Sequence, residues 1–150
     1  MRVVIQRVKK AQVSVDNKVV GKIKTGYVIL LGINVSDDES DVRYLARKIA
    51  NLRIFPDQVG KLNLSIKDVN GSILSISQFT LYGDTSDGNR PSFTQAAKLD
   101  IAIPLYEMFN DILEKEYQIK TDKGIFGADM DVELINDGPC TIIIDSRKVR

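Results

Sequence analysis

Five apolar residues in succession, Tyr27-Val28-Ile29-Leu30-Leu31, are the pattern of a strand covered on both faces. The residues before them read as further strands. Val3 and Ile5 alternate with Val4 and Gln6, and Val13 and Val15 with Ser14 and Asp16, the period-2 pattern of half-buried strands. Asp16-Asn17 marks a hairpin turn into Val19–Ile23. A helix is expected next. Ser36 and Glu39 are spaced as a capping box, Val42, Leu45, Ala46, Ile49 and Leu52 recur at helical spacing, and Phe55-Pro56 closes the segment.

Asp57–Lys61 and Asn70-Gly71 read as turns, and Ser72 to Leu81 as one strand. Residues 83–92 form a polar loop. A second helix is expected to begin between Asp100 and Pro104, with proline in its first turn and a buried stripe of Leu105, Phe109, Ile112 and Leu113. Gln118–Thr121, Met130–Ile135 and Thr141–Asp145 read as closing strands. The expected fold is mixed α/β: residues 1–150 as one three-layer domain, with mixed and antiparallel sheets in a barrel-like core and two main helices. Poorly covered strand edges suggest a dimer.

The chain has no histidine, which removes a Ser-His-Asp triad, a Cys-His pair and any histidine-bound metal. Its one cysteine, Cys140, supports neither an internal disulfide nor a thiolate cluster, and a reducing cytoplasm is the default. No metal and no cofactor are expected; hydroxyls, backbone amides, lysine, carboxylates or the substrate itself must do the chemistry. MRVVIQRVKK is not expected to be a signal peptide, and no apolar run reaches the ~20 residues of a membrane span. The net charge is +1, so contact with nucleic acid would be local. Lys9, Lys10, Lys18, Lys22 and Lys24 bias the early strands, and Arg147, Lys148 and Arg150 make a basic tail; solvated surface is the plainer reading.

Two segments stand out: Ser77-Gln78-Phe79-Thr80-Leu81 and Asn136-Asp137-Gly138-Pro139-Cys140-Thr141. Taken alone they are a strand end and a turn. Taken with Gln6-Arg7-Val8, Gly88-Asn89-Arg90-Pro91-Ser92-Phe93 and Phe126-Gly127-Ala128-Asp129-Met130, in this order along the whole chain, they resemble the D-aminoacyl-tRNA deacylases. Asn89 departs from the residue more often found there.

The resemblance implies a cytoplasmic homodimer that hydrolyses the ester joining a D-amino acid to the 3′ end of tRNA. It implies that Ser77, Gln78, Phe79 and Thr80 line the catalytic pocket of one subunit. It also implies that Gly138-Pro139, joined by a cis bond, comes from the other and forms a wall that excludes an L side chain. Glycyl-tRNA would then be hard to reject.

On this reading backbone amides around Phe79 and Thr80 form the oxyanion hole. Water, helped by the terminal 2′-hydroxyl, is preferred over Thr80 as nucleophile, since no histidine activates the threonine. Gln78 either fixes the strand or contacts the ester. Phe79 and Met130 either hold the adenine or pack in the core. Arg7 either locks the Gly-Pro segment or makes a surface ion pair. Arg90 is placed to meet phosphate. Asn136 and Thr141 hold the turn, and Cys140 is inert packing. Two rivals are a non-catalytic nucleic-acid-binding module and an esterase of small molecules.

Overall fold

The computed structural model describes residues 1–147; Lys148 and Arg150 of the basic tail lie outside them. Strand β1 (Arg2–Val15) turns through Asp16 and Asn17, both at positive φ, into β2 (Lys18–Ile23), and β3 (Gly26–Gly32) follows. A turn with two left-handed residues matches the twist of the strands it joins. Helix α1 (Glu39–Asn51) leads to the short strands β4 (Phe55–Pro56) and β5 (Leu62–Leu64), then to β6 (Ser72–Ser77). Helix α2 (Leu99–Asp111) runs into a π-type turn, Ile112–Glu116, before β7 (Thr121–Lys123) and the 15-residue β8 (Asp131–Asp145).

The main sheet runs β2-β1-β3-β6-β7, with β8 antiparallel to β1 along almost its whole length. β3 and β6 pair in parallel, as do β6 and β7. β2 curls back against β6 and β7, and the Lys22 amide donates to the Asp122 carboxylate at 2.8 Å. The result is a nearly closed barrel-like mixed sheet, with β4 and β5 as a small second sheet. Two cores follow from the pleat. Val3, Ile5, Tyr27, Ile29, Leu31 and Ile73 face the helices. Val8, Ala11, Val13, Ile23, Val28, Leu74 and Ile76 fill the barrel. The apolar run of β3 is therefore buried on both sides, as its composition requires.

Several boundaries differ from expectation. Asp38 caps α1 instead of Ser36, and Asp41 instead of Glu39 completes the box. Ser36 bonds Asn34, and Glu39 pairs with Arg43 four residues on. Asp41 is preferred because its carboxylate also accepts from Ser146 and Arg147, ties no local pattern displays. Pro104 sits in the second turn of α2, on the exposed side, where the carbonyl that proline leaves without its helical donor can be solvated. Ala102 and Tyr106 join the buried stripe, and Leu105 is only half-buried. Phe55-Pro56 is itself a strand, and Gln118, at positive φ, delays β7 to Thr121.

Candidate active site

Strand β6 ends at Ser77, whose partner Leu31 is the last residue of β3 that pairs with β6. The expected strand to Leu81 is instead a 3-10 turn, Phe79–Tyr82. The turn folds over Gly32. A Cβ there would stand 3.1 Å from Leu81 Cβ and 3.2 Å from both the Gln78 carbonyl and the Tyr82 ring. Arg2 holds the far end of the turn. Its Nη1 donates to the Leu81 carbonyl at 3.2 Å, its guanidinium lies over the Tyr82 ring, and its Nε bonds Asp145. Burial raises the Tyr82 hydroxyl above its ordinary pKa, with Asp37 adding to the effect, so the ring stays a neutral phenol.

The start of the turn is chemically open. Among the described residues, the amides of Phe79 and Thr80 donate to no protein acceptor, as expected where a helical turn begins. The Gln78 amide group donates to the Thr80 hydroxyl. Phe79 is 54% exposed and meets Phe93 edge-on at 5.1 Å. Beside them lies a cavity of about 870 Å³, whose lining includes Ser77, Gln78, Phe79, Met130, Lys98 and Asp100. Met130 packs on the barrel core, as one of its two readings expected, and also lines the cavity.

The second segment is elsewhere. β8 runs through it as one strand rather than two strands and a turn, but its pairing is interrupted. Thr141 stands opposite Gln6 and Asn136 opposite Val8, so residues 137–140 bulge opposite Arg7 alone. The Gly138–Pro139 peptide is cis, and both residues are exposed. Arg7 is buried, not a surface residue. Its Nε donates to the Asp137 carbonyl at 2.9 Å and its Nη1 to the Ile54 carbonyl at 2.6 Å. The Asn136 side chain lies against the bulge, its nitrogen 2.7 Å from where a Gly138 Cβ would stand. The Thr141 hydroxyl donates across the sheet to the side chain of Gln6, the pair that flanks the bulge. Cys140 is buried packing. Arg90 is exposed in its loop.

Thus one chain brings Ser77, Gln78, Phe79 and Met130 to the cavity, with Thr80 beside them. Arg7, Asn136, Gly138, Pro139 and Thr141 gather at another place. Gly138 is level with Arg7, which pairs with Tyr27 and through it with Ile73, four residues short of Ser77. Strand geometry separates the two places by about 13 Å along the strands and about 14 Å across them. Arg2, Gly32 and Lys98 were not foreseen. Gly32, a glycine closing an apolar strand, carried a usable signal; Arg2 and Lys98 carried none, because the partners of Arg2 and the other walls of the cavity that Lys98 lines are remote in sequence.

The cavity therefore has an aromatic rim and a polar edge, with two amides beside it that donate to no protein acceptor among the described residues. A family model for D-Tyr-tRNA(Tyr) deacylase matches residues 4–145, and the chain belongs to that family. It is therefore a hydrolase acting on aminoacyl-tRNA ester bonds. Among solved structures, the c-Myc DNA Unwinding Element Binding Protein is 39% identical, with a TM-score of 0.92 over 98% of this chain and 99% of that one. A probable eukaryotic D-amino acid tRNA deacylase is 17% identical, with a TM-score of 0.83 over 96% of this chain and 98% of that one; at that identity the likeness is one of fold. No helix among the described residues is long and apolar enough to cross a membrane.

Proposed function

We propose that this chain is a chiral proofreader, which cleaves D-aminoacyl-tRNA and spares the L form in a pocket shared by two subunits. The observation that carries this reading is the separation of the two signature segments within one chain. A pocket that uses both must take Gly138-Pro139 from a second copy. The bulge stands out from the sheet and is exposed, as an inserted element must be. The adjoining Ile143 is 64% exposed, which suits a covered face in a homodimer.

In the proposed reaction the terminal adenosine lies against Phe79 and Met130. The ester carbonyl points at the amides of Phe79 and Thr80. Water adds to the carbonyl carbon, and the negative charge gathers on the oxygen those amides face. The ester bond to the ribose oxygen then breaks. The ribose oxygen takes up a proton, and the free amino acid and tRNA leave. Thr80 is a poor nucleophile here: no histidine can take its proton, and the Gln78 amide occupies one lone pair of its oxygen. With ammonium and carbonyl fixed, a D side chain leaves the pocket, whereas an L side chain meets Gly138-Pro139 of the partner. Glycine has no side chain to exclude, so glycyl-tRNA is an expected substrate.

The deciding measurement compares D-tyrosyl-tRNA with L-tyrosyl-tRNA, side by side. Cleavage of the D form alone is expected; equal cleavage of both would overturn the chiral reading. A second reading draws on the name of the 39%-identical relative, a DNA-binding protein. A non-catalytic nucleic-acid-binding module would bind with strong salt dependence and cut neither ester.

A further inference from the structure

Charge is distributed very unevenly along this nearly neutral chain. The first 25 residues hold seven of the 21 basic side chains and one of the 20 acidic ones, a net charge of +6 against −5 for the rest. Two of the seven, Arg2 and Arg7, are engaged with Asp145 and Asp137. The five lysines are not: among the described residues, none of Lys9, Lys10, Lys18, Lys22 and Lys24 forms an ion pair, and all are exposed.

The pleat places three of them together. Ala11 pairs with Ile23, and both point into the barrel. Lys10 and Lys24 flank that pair, and Lys22 faces Gln12, so Lys10, Lys22 and Lys24 share the outer face. Lys10 and Lys22 line one groove of about 380 Å³ with Gln12 and Glu133, whose carboxylate accepts from Gln12. This face also adjoins the candidate pocket. The Lys22 amide is bonded to Asp122, two residues before Gly124, and a Cβ on Gly124 would stand 2.5 Å from the sulfur of Met130 in the pocket wall.

We infer that the outer face of the β1–β2 hairpin, through Lys10, Lys22 and Lys24, binds the phosphate backbone of the tRNA acceptor stem while the 3′ end occupies the pocket. The inference rests on the deacylase reading. A concentrated, unpaired positive face on a chain otherwise negative orients a polyanion, and the negative remainder discourages other poses. Phosphate contacts of this kind position the substrate and carry no chemistry.

The test uses two substrates of the whole protein: D-tyrosyl-tRNA, and D-tyrosyl-adenosine, which has the ester but no stem. The triple variant Lys10→Gln/Lys22→Gln/Lys24→Gln is compared with wild type and with Arg47→Gln/Lys61→Gln/Lys67→Gln, which removes equal charge elsewhere. For the hairpin variant, KM for the tRNA ester is expected to rise about tenfold, and the slope of log KM against log salt to shrink by about two to three. Hydrolysis of the adenosine ester should stay within about twofold. Three results would overturn the inference: unchanged KM and salt slope, an equal rise in the control triple, or an equal loss on the adenosine ester. Wild type that cleaves neither ester sinks the deacylase reading itself, which is a distinguishable failure.

Discussion

The two signature segments leave the sheet in opposite ways. After Ser77 the chain folds over Gly32 into a 3-10 turn and lines a cavity with its open amides. Between Asp137 and Cys140 it stays within β8 but bulges out opposite Arg7. One segment makes a concave site and the other a projection. The comparison teaches that conformational control differs with purpose. The turn needs only a close-packed support, whereas the projection is held through its backbone carbonyl by a buried guanidinium and is crowded against Asn136.

Changing the projection should have the largest effect. A Cβ on Gly138 would stand 2.5 Å from the Cys140 amide nitrogen, so Gly138→Ala must shift backbone. A misplacement of about 1 Å costs on the order of 100-fold in rate. Single-turnover hydrolysis of D-tyrosyl-tRNA measures this; a near-normal rate would separate Gly138 from the site. Arg7→Met comes next. It leaves the Asp137 and Ile54 carbonyls without their donor, at a cost of about 2 kcal/mol, read from urea unfolding. Activity should fall further than stability explains, since the bulge loses its anchor.

The closing segment of the chain sharpens the comparison through pH. Burial alone would raise the carboxyl of Asp41. Hydrogen bonds from Arg147, Ser146 and the Asp38 amide outweigh it and hold the group well below the ordinary carboxylate range. Its stabilisation is thus complete above the unfolded pKa of about 3.9 and is lost as pH falls from there toward the folded value. Asp41→Asn should cost about 1.5 kcal/mol at pH 7 and progressively less below pH 4, as followed by thermal unfolding across that range. The smallest effect is expected of Thr80→Ala. If its backbone amide matters and its hydroxyl does not, turnover stays within about threefold; a loss beyond 100-fold would revive Thr80 as nucleophile.

Periodicity made the β1–β3 region and α1 legible, because each buries a face whose spacing is written locally. Asp16-Asn17 and Asn70-Gly71 were legible for a similar reason: the left-handed geometry of Asp16, Asn17 and Asn70 is a property of the residues themselves. The end of β6 was not. Gln78-Phe79-Thr80-Leu81 has strand-like composition, but the pairing of β6 with β3 stops at Leu31, and the segment packs over Gly32 instead. The cap of α1 was misread for want of Ser146 and Arg147, more than 100 residues distant.

By itself the sequence determined the mixed α/β class, the absence of histidine chemistry and the two segments that mark the family, since these depend on residue identity and short-range order. Only the tertiary structure decided that Phe79 and Met130 border one cavity, that Arg7 is buried beneath the bulge and that Gly138 stands strands away from Ser77. Those facts depend on register and sheet curvature, which arise when strands remote in sequence pair and bury a shared core.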